Sequence, residues 1–182
     1  MPVPRAGIAH NATKGGEAVR LHAFNDLEGV RIAAEMESRG EQFYRRAARV
    51  SKSPETIALL DSLADDEVLH RQEFVRLYQD ACAHYQREGI PCLDYDEETN
   101  AYLSAIAADV VFPEGLMTLR RQGFESPEAI LAAAIDSEKD SILFYTELAA
   151  RTGDGHARDL FLEIVRQERG HLSRLQKRLA EL

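Results

Sequence analysis

The sequence predicts an all-α protein, an up-down bundle of four helices made of two helical hairpins with a long helical crossover between them. Three observations support this fold class. Apolar residues recur at helical spacing, helix-forming residues dominate, and no alternating run of β-branched residues indicates a sheet. With 182 residues, of which 45% are hydrophobic, the chain is long enough for one domain with a substantial core.

The first helix is predicted from about Asp26 to about Val50. Residues 1–22 contain three Gly and two Pro and show little periodicity, which is typical of a mobile N-terminal tail. The folded domain is therefore expected to span 23–182. Asn25 or Asp26 can cap the first helix, because either side chain accepts hydrogen bonds from the first free backbone N–H groups.

The second and third helices open with the same signal. Ser53 precedes Pro54, and Ser126 precedes Pro127, so each helix has a cap followed by proline at its first position. The second helix is predicted to run to about Arg87. A turn at 152–155 ends the third helix, and the fourth is expected to begin between 154 and 156 and to continue to the C-terminus.

A crossover of about 90–126 connects the two hairpins. Glu97–Phe112 carries apolar residues at helical spacing, and Pro113 restarts a short helix toward Arg121. A four-helix bundle with one long crossover has this connectivity. We expect the crossover helices to lie outside the four-helix core, over one end of the bundle or in the contact of a homodimer.

One pattern of four residues occurs twice, with every gap unchanged and an offset of 101 positions. Its members are Glu37, Tyr44, Glu67 and His70, and then Glu138, Tyr145, Glu168 and His171. The two Glu of each set lie fifteen residues on either side of a predicted turn. In antiparallel helices both carboxylates then sit at one height, roughly 22 Å from the turn. Each His follows a Glu by three residues and shares its helix face. Packing the hairpins together gathers four Glu and two His in one layer.

Such a layer predicts bound metal. A buried, unpaired carboxylate costs several kcal/mol, on the order of 2–7, and four together repel one another unless they bind protons or cations. Two divalent cations would balance the four carboxylates. Two Glu plus two Glu-x-x-His pairs are the ligand set of di-iron and di-manganese bundles, and oxygen and imidazole ligands suit Fe or Mn.

Three further residues are candidates for the same site. Tyr44 and Tyr145 lie two turns from Glu37 and Glu138, where they would pack in the core and could orient a ligand carboxylate through the hydroxyl. Glu41, one turn from Glu37, could supply an extra oxygen ligand or be an ordinary side chain on the helix flank.

The chain resembles the rubrerythrin branch of the ferritin-like superfamily over residues 26–181. The resemblance is carried by the segments AAEMESRGEQFYRRAA, DDEVLHRQEF, AIDSEKDSILFYTELAA and RQERGHLSRL. It implies two bound irons, bridged by Glu67 and Glu168, with Glu37 and Glu138 as terminal ligands. Rubrerythrins carry one more Glu where this chain has Ser141, and the equivalent position in the first helix is Gly40. The chain also contains no Cys-x-x-Cys pair and therefore no rubredoxin-type iron site.

The expected activity is that of an oxidoreductase whose catalytic element is the di-metal centre itself. It would reduce peroxide, or oxidise Fe(II) with O2 or H2O2, in the response to oxidative stress, with an electron donor that the sequence does not identify. A di-iron monooxygenase acting on an organic substrate is an alternative. Another is a non-catalytic metal-binding or assembly module. Mn or Zn could take the place of Fe in the site.

Charge and cysteine content bound the partners and the location. A formal charge of −9 argues against nucleic acid and against an anionic membrane surface. The two cysteines, Cys82 and Cys92, form no visible disulfide framework, which indicates a reducing compartment. The N-terminus lacks an apolar signal core. A cytoplasmic, soluble protein is expected.

Overall fold

The computed structural model describes residues 26–89 and 126–182. These residues form a bundle of four helices, which confirms the predicted all-α fold class. The helices are α1 (Asp26–Val50), α2 (Pro54–Arg87), α3 (Pro127–Arg151) and α4 (Gly155–Ala180). Their ends agree with the predicted ones, because caps and prolines mark most of them.

Two three-residue connections, 51–53 and 152–154, fold the helices into matched hairpins. Ser53 Oγ accepts a hydrogen bond of 3.3 Å from the backbone N–H of Thr56, and Asp154 Oδ1 accepts one of 2.9 Å from that of Ala157. Each cap satisfies a backbone donor that the first helical turn leaves free. Since the two links have equal length, residues equally far from each turn face one another in both hairpins.

Three aromatic side chains pack together in the core, next to the layer of Glu and His side chains that the sequence predicts. The rings of Phe74, Tyr145 and Phe161 come from α2, α3 and α4 and have centroids 5.5–6.3 Å apart. All three are almost fully buried, and burying one side chain of this size contributes about 1.5–3 kcal/mol. This packing fixes the ring of Tyr145, whose hydroxyl points into the polar layer.

Polar contacts join α2 of the first hairpin to α4 of the second. Arg178 donates to Ser53 Oγ at 2.8 Å and to Thr56 Oγ1 at 2.9 Å, close to the first connection. Further along, Arg174 donates to Asp66 Oδ2 at 2.7 Å. The two hairpins are therefore held in register along this face.

Some predictions fall outside the described residues. The N-terminal tail of 1–22 and the crossover of 90–125, with its predicted helices, lie there and stay predictions. Within the described helices, no segment combines the length and the apolar character that crossing a bilayer requires.

Cys82 corrects one expectation. This residue of α2 is disulfide-bonded, and its partner lies outside the described residues. In the sequence, Cys82 and Cys92 showed no disulfide framework, and a reducing compartment was expected on that ground. Because Cys82 forms a disulfide, the argument for a reducing compartment is lost.

Gly89 closes the end of α2 with φ at 73°, a left-handed conformation in which the chain can turn.

Candidate metal centre

Six acidic and imidazole side chains meet in one layer across the bundle. Each is only 1–4% exposed. All four helices contribute, α1 and α3 with one Glu each, and α2 and α4 with one Glu and one His each. The six are Glu37, Glu67, His70, Glu138, Glu168 and His171.

Their donor atoms form two overlapping groups, and in each group all the atoms lie within 4.8 Å of one another. One group is Glu37, Glu67, His70 and Glu168, and the other is Glu67, Glu138, Glu168 and His171. Glu67 and Glu168 belong to both groups, which is the placement that shared ligands would need. Each group draws donors from both hairpins.

Both imidazoles turn Nδ1 toward the carboxylates. His70 Nδ1 lies 3.0 Å from Glu168 Oε1 and 3.1 Å from Glu67 Oε2. His171 Nδ1 lies 2.8 Å from Glu168 Oε2. The two rings are stacked, with centroids 5.5 Å apart and planes 18° from parallel. They therefore face the shared carboxylates in equivalent ways.

The outer ring nitrogens contact two residues that the sequence analysis missed. His70 Nε2 lies 3.0 Å from Gln167 Oε1, and His171 Nε2 lies 3.3 Å from Asp66 Oδ2. Both partner atoms are acceptors, so Nε2 carries a proton, and in the neutral tautomer with that proton Nδ1 presents its lone pair to the cluster. That tautomer is the one in which Nδ1 can bind a metal. A signal existed, since Asp66 and Gln167 also lie 101 positions apart and each directly precedes a shared Glu.

The two tyrosines hydrogen-bond to carboxylates of the opposite hairpin. Tyr145 donates to Glu37 Oε1 at 2.5 Å, and Tyr44 donates to Glu138 Oε1. Both rings are buried. The sequence indicated a hydroxyl beside a carboxylate, and the structure adds that the pairing crosses between the hairpins.

Replacing either tyrosine by phenylalanine is expected to destabilise the protein. Tyr44→Phe leaves Glu138 without its hydroxyl donor, and Tyr145→Phe does the same to Glu37. A hydrogen bond to a charged group contributes about 1.5–3 kcal/mol, so each variant should lose about that much free energy of unfolding in denaturant titrations of the metal-loaded protein. Tyr85→Phe, in a half-buried position near the end of α2, is the control and should change little. If Tyr85→Phe lowered the free energy of unfolding as much as the two variants do, the hydrogen-bond explanation would be contradicted.

The pKa values of the four carboxyls shift in opposite directions, although burial raises all of them. Burial raises the pKa of Glu37, with the charge of Glu67 as the next cause, and it raises the pKa of Glu138, with the charge of Glu168 next. Burial acts in the same direction on Glu67 and Glu168. For these two, however, the contacts with both imidazoles outweigh burial and lower the pKa below its usual range.

Burial also acts on both imidazoles. It would lower the pKa of His70 and His171, but the surrounding carboxylates outweigh it and hold both pKa values far above the usual range. In the metal-free layer these shifts favour the protonated forms of both His, of Glu37 and of Glu138. Four such protons would supply the same charge as two divalent cations.

Two atoms of the layer show that it fits a cation. Glu168 Oε2 and His171 Nδ1 are buried and lie 2.8 Å apart as an ion pair that lacks hydrogen-bond geometry. Such a contact recovers only part of the about 1–3 kcal/mol that an unsatisfied buried polar group costs. A cation held by carboxylate oxygen and imidazole nitrogen would satisfy both, and this donor set suits Fe, Mn or Zn. The residues present therefore fit a di-metal carboxylate site.

Gly40 gives Glu67 the space that it occupies. A Cβ atom at position 40 would lie 3.3 Å from Glu67 Cγ and 3.5 Å from its Cδ. A side chain at position 40 would therefore push Glu67 aside by a few tenths of an ångström.

Gly40→Ala is expected to separate fold stability from metal affinity. Alanine in a helix interior stabilises the fold by about 0.5–1 kcal/mol relative to glycine, so the chelated variant should melt slightly higher. Its metal affinity should fall, because Glu67 must shift by a few tenths of an ångström. Gly170→Ala in α4 is the matched control, since no atom lies within 4 Å of the added Cβ, and it should stabilise both forms. Unchanged metal affinity in Gly40→Ala would contradict the steric argument.

Glu41 is not brought into the layer. Its carboxylate lies 3.5 Å from Arg71 Nη2, and neither candidate group includes it. In this conformation it pairs with a cation of α2, on the flank of the helices.

Fold and site together define a class, the ferritin-like four-helix bundle with a buried Glu/His cluster compatible with two metals. The rubrerythrin family model matches residues 129–182. This match covers nearly all of α3 and all of α4, so the second hairpin is similar to the rubrerythrin family, which confirms the resemblance found in the sequence. No curated protein and no solved structure matches the chain. The first hairpin carries the same four-residue pattern as the matched one.

Proposed function

We propose that the protein is a non-haem di-iron oxidoreductase that reduces peroxide, or oxidises Fe(II) with O2 or H2O2. The observation that supports it best is the pair of buried donor groups that share Glu67 and Glu168. Two adjacent redox metals can exchange two electrons with one oxidant molecule. Reducing one H2O2 to two waters takes two electrons and two protons, so a peroxidase also needs an external electron donor.

The side chains of the layer have distinct tasks in this proposal. Glu67 and Glu168 are ionised and centrally placed, which suits ligands shared by two cations. His70 and His171 supply one nitrogen each. Tyr44 and Tyr145 hold the two remaining carboxylates in place by hydrogen bonds from the opposite hairpin. Positions fixed in this way need little rearrangement when metal binds.

An opening on the face between α2 and α4 supports a small oxidant or Fe(II) as substrate. Its volume is about 330 Å³, it reaches His171, and it is lined by Asp66, Gln167, Gly170, His171 and Arg174. The space beside Gly40 is taken by Glu67. The charged and amide side chains of this opening favour a small polar substrate at this face of the bundle.

The test starts from chelated protein reloaded anaerobically with two equivalents of Fe(II). Addition of H2O2 or O2 is expected to produce a near-ultraviolet charge-transfer band and repeated consumption of oxidant when a reductant is supplied. Protein loaded with Zn, which has no redox chemistry, is the control. Two bound irons without oxidant consumption above that of free iron would refute the proposal and favour a non-catalytic metal-binding module.

Three expectations from the sequence stay predictions. They are a homodimer, an electron donor still to be identified, and a cytoplasmic location, now without support from the cysteines. Light scattering on the full chain tests the first, and a reductant screen with the iron-loaded protein tests the second.

A further inference from the structure

The two donor groups differ chemically in the residue behind the imidazole. Both groups contain the shared Glu67 and Glu168, one further Glu and one His, and in both a tyrosine donates to that further Glu. The outer nitrogen of His171, however, faces the carboxylate of Asp66, whereas that of His70 faces the amide of Gln167. The near-symmetry of the layer is broken at this point.

We propose that the two metal positions are inequivalent, and that Asp66 is a positioning residue that makes the position of His171 the tighter one. This inference rests on the proposed di-metal site. It adds that the site fills in two steps. It assigns the difference in metal affinity between the two positions to the pair Asp66 and Gln167.

Charge is the physical reason. The 3.3 Å contact of Asp66 Oδ2 with His171 Nε2 is an ion pair; a carboxylate placed beside Nε2 increases electron donation from Nδ1 to a metal, and losing such a partner costs roughly ten- to hundredfold in metal affinity. The amide of Gln167 fixes its ring but carries no charge. The ring of His171 therefore has the stronger donor atom.

Both partners are held firmly, so orientation does not explain the difference. Arg174 donates to Asp66 Oδ2 at 2.7 Å, which orients the carboxylate and offsets part of its charge. The amide of Gln167 donates to Glu163 Oε1 at 3.0 Å, which points its carbonyl oxygen at His70.

Stepwise titration of the chelated full chain with Co(II), followed by its d–d absorption and by competition with a chelator, tests the inference. The wild type is expected to bind two equivalents in two resolved steps. Asp66→Asn should weaken the tighter step roughly tenfold or more and bring the two steps together. Asp65→Asn is the matched control, because that exposed neighbour pairs with Arg45 and should leave both steps unchanged.

Two more variants separate charge from a merely structural role. Arg174→Met removes the link from Asp66 to α4 but keeps the carboxylate, so the tighter step should be retained or strengthened. The double variant Glu163→Gln/Gln167→Glu exchanges amide and carboxylate and is expected to tighten the looser step. Equal steps in the wild type, no effect of Asp66→Asn, or equal losses in Asp66→Asn and Arg174→Met would overturn the inference. Failure to bind two equivalents of Co(II) would instead refute the di-metal site of the proposed function.

Discussion

Chelation of the metal ions at pH 7 is expected to lower the melting temperature by roughly 8–16 °C. An ion that binds only the folded state adds about 4 kcal/mol when its free concentration is a thousand times its Kd. In a protein of this size 1 kcal/mol corresponds to about 2–4 °C. When the metal ions are removed, however, protons bind to the Glu and His side chains and partly replace the lost positive charge.

The pH dependence follows from those protons. The pKa values of Glu37, Glu138 and both His are raised in the metal-free fold. A raised pKa contributes stability that is complete below the ordinary value, about 4.3 for Glu and 6.5 for His, and is lost as pH rises through the raised value. Lowering the pH from 7 to 5 therefore favours the metal-free fold. The lowered pKa values of Glu67 and Glu168 remove stability only at lower pH, outside this window.

In the metal-loaded protein, protons compete with the cations for the same atoms. The gap between the melting temperatures with and without chelator should therefore narrow from pH 7 to pH 5. Thermal melts across this range measure it. Equal melting temperatures at pH 7 after confirmed metal removal would contradict a metal-filled layer, and a gap that widens toward pH 5 would contradict the proton-exchange account.

Truncation of a shared carboxylate should have the largest effect on metal content. Glu67→Ala or Glu168→Ala removes an oxygen donor from both groups at once, so we expect fewer than two equivalents of metal per chain, measured by elemental analysis after dialysis. Glu73→Ala is the control, since this surface residue of α2 pairs with Arg76 and should keep both metals. A Glu67 or Glu168 variant that binds two equivalents with unchanged affinity would refute the shared role.

The sequence predicted the parts of the fold that local chemistry determines. Ser53 before Pro54 and Ser126 before Pro127 mark helix starts whatever the tertiary context. The equal spacing of Glu37 and Glu67 from their turn needs only helix rise to place them at one height. The six clustered residues were therefore all identifiable from spacing.

What the sequence left open depends on how the hairpins pack. Which carboxylate Tyr44 reaches is decided by the relative placement of α1 and α3, which spacing within one hairpin does not contain. The same is true of Asp66 beside His171 and Gln167 beside His70. Glu41 shows the converse: one turn of spacing placed it near Glu37, but the helix turned it toward Arg71. For Cys82, the pairing depends on a chain path beyond α2.

The crossed tyrosine contacts have a consequence for how the chain holds together. Each tyrosine hydrogen-bonds to a carboxylate of the other hairpin, and each candidate metal group takes ligands from both hairpins. Neither hairpin alone therefore contains a complete site. Bound metal would therefore strengthen the docking of the two hairpins. Removal of the metal should weaken the contact between the hairpins more than the helices within either one, so the layer would act as a reversible fastening between two repeats.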